Sequence, residues 1–434
     1  MYKLKKNIFK QKISDGQLII RDSNNEQIHV LNSTSAYILE NSENKNADEI
    51  ANSIFKGLDK SCNVTFNEIL NDVTDTINNF KTNGLLIDEE NINLEYKQAK
   101  IKNLYIEIIS SCNQKCIYCY NEKELYKKNI ISLNQIKKLI DQCIPEELNG
   151  IIISGGEPLL HKDLEKILEY CKDKKVGVSL VSNGTLINEE KAKMLSKFNP
   201  NIQFTIDGSK ALINDKSRGY NSFKKQIEAL ENLKKSNYKG NINLRTNLWS
   251  GNTDEANIRS IVRICENYNI NKLNLITAKK TNNFNLILSN EKDFNNIIKI
   301  IKDIDTNVDI SYDEENQQYK CELDNVFENI EYALRISPDG NVYPCQYFLD
   351  NQFSIGNIYY HSLYEMIHGD KNKKILSLIS LRKFFIKECT SCTYSQICHG
   401  GCPAKAYINY GDIFRADGSC KRKKISLQKY YLDI

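Results

Sequence analysis

The sequence predicts an α/β fold, a parallel sheet of repeated strand and helix units with a small module in front and a cysteine-rich segment behind. Two observations carry this expectation. From about residue 104, six short apolar runs alternate with amphipathic stretches, the pattern of β-α units. Each of the first four runs leads into a loop loaded with reactive or polar residues, and barrels of parallel strands gather their sites at those strand ends.

The runs are Leu104–Ile109, Ile151–Ser154, Val176–Val181, Ile202–Ile206, Ile242–Thr246 and Leu273–Ile276. After the first comes Cys112-Asn113-Gln114-Lys115-Cys116-Ile117-Tyr118-Cys119, and after the second Gly155-Gly156-Glu157-Pro158. Ser182-Asn183-Gly184 follows the third, while the fourth holds Thr205 and runs into Asp207-Gly208, with Arg218 beyond. The C-x3-C-x2-C spacing offers three thiolates. A four-iron cubane held by three cysteines leaves one iron open for a substrate or cofactor, whereas one held by four mainly passes electrons. Zinc is the competing reading, but structural zinc prefers four ligands and no partner cysteine lies near in the sequence. The glycines of the second loop allow a backbone to approach a ligand closely.

The cysteine loop and the Gly-Gly-Glu-Pro loop together resemble the radical S-adenosylmethionine (SAM) superfamily. The resemblance implies an open (β/α)6 partial TIM barrel over residues 100–310, with a [4Fe-4S] cluster on Cys112, Cys116 and Cys119. It implies further that Tyr118 lies beside the adenine of SAM, that Gly155, Gly156 and Glu157 contact its methionine end, and that Ser182, Asn183, Thr205 and Arg218 help to hold it. From the residues alone, Ser182 and Asn183 read equally well as a plain strand-to-helix turn, and Asp207 as a helix cap. No catalytic acid or base is assigned.

Beyond residue 320 seven cysteines follow: Cys321, Cys345, Cys389, Cys392, Cys398, Cys402 and Cys420. Pro338–Cys345 reads as a hairpin turning at Asp339-Gly340. The order C-x2-C-x5-C-x3-C and a distant seventh cysteine resemble the SPASM extension of peptide-modifying radical enzymes, here residues 311–434. That resemblance implies two auxiliary [4Fe-4S] clusters, three clusters in all. One takes Cys389, Cys392, Cys398 and Cys420; the other takes Cys321, Cys345 and Cys402, with an open iron or an unidentified fourth ligand. A zinc ribbon on Cys389, Cys392, Cys398 and Cys402 is the competing reading, and His399 reads as a local loop residue. Cys62, Cys143, Cys171 and Cys265 stand alone, as small buried apolar residues do.

Residues 1–95 carry strand-like runs at Ile8–Ile13, Gln17–Arg21 and Gln27–Asn32, then helical stretches. Ile69, Leu70, Val73, Ile77 and Phe80 recur at helical spacing, and Gly84 marks a stop before Leu85-Leu86-Ile87. This layout resembles the winged-helix, PqqD-like module that recognises leader peptides of ribosomally made natural products. Such a module pairs an extended peptide with an exposed sheet edge. A DNA-reading winged helix would show a concentrated basic recognition helix, which is missing here.

Over 434 residues, 59 basic side chains against 55 acidic ones give a net charge of +4, too balanced to imply nucleic acid or a membrane surface. No apolar stretch approaches the roughly 20 residues of a spanning helix, and the first residues lack the apolar core of a signal peptide. A cytoplasmic protein is expected, in which clustered cysteines bind metal rather than pair as disulfides. The whole implies a peptide maturase that abstracts hydrogen through a 5'-deoxyadenosyl radical and forms a thioether or other intrapeptide crosslink. Its implied partners are a precursor peptide with a leader and an electron donor such as flavodoxin or ferredoxin. The alternatives are sulfatase-maturase-like residue oxidation, epimerisation, and a redox-sensing DNA-binding regulator. The last leaves the barrel and its glycine loop without purpose.

Overall fold

In the computed structural model the described residues are 2–4, 8–12, 16–22, 28–42, 45–59, 61–83, 85–88, 100–119, 121, 125, 127–143, 148–278, 291–312, 321, 323, 331–421, 423–424 and 427. Residues 1–98 with 325–330 form one compact unit, and residues 99–324 with 331–434 the other, so the cysteine-rich end shares a unit with the strand and helix repeats.

The front unit begins with β1 (Tyr2–Leu4), β2 (Ile8–Lys12), β3 (Leu18–Asp22) and β4 (Ile28–Leu31). Then come α1 (Ser33–Glu40), α2 (Ala47–Gly57), α3 (Phe66–Thr82) and β5 (Leu86–Asp88). Strands β2, β3 and β4 make an antiparallel sheet in that order, while β1 pairs with β5. Ile13, Gln27 and Gly84 lie outside the described residues. Capping boxes start α2 (Asn46 with Glu49) and α3 (Thr65 with Glu68), satisfying backbone N–H groups that a helix start leaves open. Leu18 and Ile20 of β3 are buried with Ile38, Leu39, Ile50, Val73, Ile77 and Phe80. Strand β4 ends the sheet, with Val30 64% exposed.

The second unit runs β6 (Lys100–Ile109), α4 (Leu133–Cys143), β7 (Gly150–Gly155), α5 (Leu164–Asp173), β8 (Gly177–Ser182) and α6 (Glu189–Phe198). It continues with β9 (Asn201–Thr205), α7 (Ala211–Arg218), α8 (Ser222–Lys235), β10 (Ile242–Leu248), α9 (Glu255–Asn267) and β11 (Lys272–Thr277). The six expected strands are β6 to β11, each within a few residues of its expected span. They lie side by side and parallel in chain order.

Two further parallel strands flank the six. After α10 (Glu291–Lys302), β12 (Asp309–Tyr312) joins β11, and β13 (Glu331–Ile336) joins β6. The hairpin expected at Asp339-Gly340 is formed by β13 and β14 (Asn341–Tyr343), with Gly340 at φ +87°, and β15 (Gly356–Asn357) completes a sheet of ten strands. Helices α11 (Leu363–His368), α12 (Asp370–Phe385), α13 (Ser395–Cys398) and α14 (Pro403–Tyr410) carry the rest.

A buried ion pair lies in the β6–β13 seam. Arg335 Nε and Nη2 donate to the two carboxylate oxygens of Glu107 at 3.1 and 2.9 Å, and Nη1 donates to Phe348 O at 3.1 Å. No helix among the described residues is long and apolar enough to cross a membrane.

Candidate active site

The site is built on a seam between two loops. Where β6 ends, Gly156 N donates to Ile109 O (2.7 Å) and Glu157 N to Ser111 O (2.9 Å). A Cβ on Gly155 would stand 2.2 Å from Ile109 O, and one on Gly156 2.1 Å from Ser111 O and 2.4 Å from Ser110 O. Gly155 also has φ +140°. Both glycines are therefore spent on letting the second loop lie backbone to backbone against the start of the cysteine loop.

Glu157 is fully buried and fastens the next strand. Its carboxylate accepts from Leu159 N (3.1 Å), Ser182 Oγ (2.8 Å) and Asn183 N (2.8 Å), joining the end of β7 to that of β8. Burial pushes this carboxyl above its ordinary pKa against the pull of those donors. Ser182 and Asn183 thus do more than make a turn: Asn183 Nδ2 donates to Asn113 Oδ1 (2.9 Å) and reaches Cys112 Sγ at 3.8 Å.

The three thiols of the loop lie within electrostatic range of one another. Gln114 N donates to Cys112 Sγ (3.4 Å), Cys116 Sγ lies 3.7 Å from Gln114 Oε1, and Cys119 N donates to Cys116 O (3.1 Å). Burial pushes Cys112 up to about 11, and the charges of Glu157, Cys116 and Cys119 add to the rise. Burial likewise raises Cys116, with Arg218 opposing. Binding iron to such thiols releases their protons. Among the described residues no three Cys, His, Asp or Glu side chains close on a point as ligands of a single ion do.

Below the thiols lies a polar web. Asp207, fully buried, accepts at Oδ2 from the Tyr118 hydroxyl and from Ser217 Oγ (3.0 Å), and at Oδ1 from Asn247 N (2.8 Å). It is not a helix cap: α7 starts at Lys210 without a side-chain cap, and the Asp207 carboxylate turns inward. Arg218 sits 3.5 Å from Asp207 and donates to Tyr118 Oη (3.0 Å) and Gln114 Oε1 (3.3 Å), while its Nε is buried without a hydrogen-bond partner. Thr205 is buried at the end of β9, and its carbonyl accepts from Gln226 Nε2 (2.6 Å).

Gln226 also donates to Asn183 O (2.9 Å) and accepts from Asn214, whose Oδ1 takes the Asp207 N–H (2.8 Å). Gln226, Asn214 and Asn247 escaped the sequence reading. The available signal was Gln226 on the buried stripe of α8, beside Ala229, Leu230 and Leu233. The three thiols and the unpartnered guanidinium nitrogen suit a soft iron-sulfur group and an anionic ligand beside it.

In the cysteine-rich end, the charges of Cys420, Cys398 and Cys392 all oppose ionisation of Cys389, which burial pushes up to about 11, so these four stand together. Cys321 and Cys402 are both within electrostatic range of Arg382. Cys345 lies beside Ala333 where the β14 segment leaves the sheet. His399 Nε2 bonds Gln396 O at 2.8 Å, a contact local to its loop. Burial pushes the isolated thiols Cys143, Cys171 and Cys265 up to about 12.

Residues 106–262 match the Radical SAM superfamily, and residues 328–393 match an iron-sulfur cluster-binding domain, SPASM. The Fe-coproporphyrin III synthase of Methanosarcina barkeri is 26% identical over 377 residues, 78% of this chain and 92% of that protein. The cysteine-type anaerobic sulfatase-maturating enzyme of Clostridium perfringens is 25% identical over 330 residues, 68% of this chain and 86% of the other. Streptococcus suis SuiB bound to precursor peptide SuiA shares the fold at a TM-score of 0.58 and 17% identity, over 96% of this chain and 98% of that one.

Proposed function

This chain is a radical SAM enzyme with a SPASM domain, whose cofactors are SAM, a [4Fe-4S] cluster and auxiliary iron-sulfur clusters, and we propose that it is a peptide maturase forming an intrapeptide crosslink. The observation that carries the proposal is that Cys116 and Cys119 lie within electrostatic range of Cys112, and Asp207 and Arg218 within that of Cys116, in a chain whose fold matches a precursor-peptide enzyme over nearly its full length. When bound, the cluster and SAM supply a 5'-deoxyadenosyl radical that takes one hydrogen atom from the substrate.

The chain's own residues hold and shield. Cys112, Cys116 and Cys119 ligate the first cluster. Gly155, Gly156, Glu157, Ser182, Asn183, Thr205, Tyr118 and Arg218 form the SAM wall, in which Glu157 and Ser182 brace each other and Arg218 keeps a free donor at Nε. Cys389, Cys392, Cys398 and Cys420 take one auxiliary cluster; Cys321, Cys345 and Cys402 take the other. A crosslink removes two hydrogens from the substrate, so one electron and one proton must leave after the first abstraction, and the auxiliary clusters give the electron its exit. A low-potential carrier of the flavodoxin or ferredoxin type supplies electrons, in the cytoplasm.

The precursor's leader docks on the front unit, adding a strand at β4, the last strand of its sheet among the described residues. Changing the exposed Val30 to Asp leaves the fold intact and weakens binding of a leader peptide at least tenfold, about 1.4 kcal/mol, by fluorescence anisotropy. An unchanged Kd places the leader elsewhere.

Anaerobic co-expression with candidate precursor peptides, followed by intact and fragment mass spectrometry, tests the function. Loss of two hydrogens per site, with fragmentation suppressed between two residues, marks a crosslink; solvent deuterium at unchanged hydrogen count marks epimerisation. In Cys119→Ala, release of 5'-deoxyadenosine falls below detection while auxiliary iron is retained. Similarity to the M. barkeri enzyme favours a second reading, a tetrapyrrole substrate. Formation of iron coproporphyrin III from a tetrapyrrole precursor by purified protein, with no peptide modified, would replace the peptide reading.

A further inference from the structure

The spacer between Cys398 and Cys402 consists of three successive left-handed residues. His399, Gly400 and Gly401 have φ of +48°, +73° and +76°, a conformation open to glycine and unfavourable for His399. The turn aims all three carbonyls at Arg382 of α12, which is 2% exposed. Arg382 Nη1 donates to His399 O (2.9 Å) and Gly401 O (2.6 Å), and Nη2 to Gly400 O (2.8 Å). Its remaining bonds go to Ile413 O and Arg415 O.

These five hydrogen bonds from the guanidinium all end on backbone carbonyls, which satisfies its donors and leaves its charge. Asp417, whose charge reaches it, is engaged by Lys423 Nζ (2.8 Å) and Cys402 N (2.9 Å). A buried cation without a bonded anion is unfavourable. After Asp417, the groups that compensate this charge are sulfurs. Cys321, Cys402 and Cys389 all lie in its field. Arg382 Nη2 and Cys389 Sγ stand 3.4 and 3.5 Å from the point a Cβ on Gly400 would occupy, so they are at most about 7 Å apart.

We propose that Arg382 is a positioning residue shared by the two auxiliary clusters: its fork fixes the turn that hands Cys398 to one and Cys402 to the other, and its charge raises both reduction potentials. The inference rests on the ligand assignment of the proposed function. A fixed positive charge favours the reduced, more anionic state of a nearby cluster, and outer-shell donors orient ligands. Lysine keeps the charge and loses the planar fork; glutamine loses both.

The test uses the full chain carrying Cys112→Ala, Cys116→Ala and Cys119→Ala, reconstituted so that only auxiliary clusters report. Iron analysis comes first: roughly eight irons per chain support two four-iron clusters, and about four overturn the ligand assignment whatever Arg382 does. Potentiometric titration followed by electron paramagnetic resonance then compares Arg382→Gln and Arg382→Lys with the parent. In Arg382→Gln the ratio of reduced to oxidised cluster at the parent's midpoint falls at least tenfold, 59 mV for one electron. In Arg382→Lys the midpoint stays within threefold of the parent, while a chelator strips iron several times faster. Full iron with an unshifted midpoint in Arg382→Gln overturns the inference. If Arg382→Gln takes up no clusters, Arg382→Lys decides alone: a midpoint more than tenfold away overturns the charge argument, and a matching midpoint with faster iron loss supports it.

Discussion

Glu107→Ala lowers the stability of the second unit by about 3–5 kcal/mol, because it removes the carboxylate that takes two hydrogen bonds from the Arg335 guanidinium, itself only 3% exposed. The loss reads as a fall in urea midpoint at unchanged slope. Phe348 O and the Tyr343 ring, 4.9 Å from the guanidinium carbon, also contact Arg335, and neither carries a negative charge. Replacing both partners, Glu107→Leu with Arg335→Met, recovers most of the stability, since two apolar side chains of similar volume leave no charge to desolvate. If the double variant is as unstable as the single one, the β6–β13 seam depends on shape rather than on charge. Because β6 launches the cysteine loop, Glu107→Ala also loses first-cluster iron at temperatures where the parent keeps it.

Gly156→Ala has the second large effect. One methyl group would meet Ser111 O and Ser110 O at distances no carbon tolerates, and both are backbone atoms that cannot rotate away. The start of the cysteine loop must move. Iron content falls by about four per chain while the auxiliary set stays, and release of 5'-deoxyadenosine drops at least a hundredfold. A Gly156→Ala protein with full iron and parental cleavage would show that the seam yields easily.

The six inner strands were legible because each is buried deeply enough to read as a run of Ile, Val and Leu. Strands β12 and β13 were not. The first is the short, half-polar Asp309-Ile310-Ser311-Tyr312, and the second carries a charged residue, Arg335, that makes sense only once Glu107 is seen opposite it. The cysteines were legible through spacing, since ligands on one loop must sit close in sequence. The Asp207 web was not, because its members come from afar: Arg218 and Tyr118 are 100 positions apart, and Asn247 and Asp207 are 40. The glycines of the second loop were found, and the structure adds a second use for them. Their missing side chains also admit the neighbouring backbone.

The pairing of β13 with β6 also fixes an order of events during synthesis. The two members of its ion pair are 228 positions apart, so at about 5–20 residues per second Arg335 leaves the ribosome roughly 10–45 s after Glu107. Throughout that interval the strand that launches the cysteine loop lacks the neighbour that β13 provides. The strand that launches the cysteine loop is therefore flanked on both sides only after synthesis has passed residue 336.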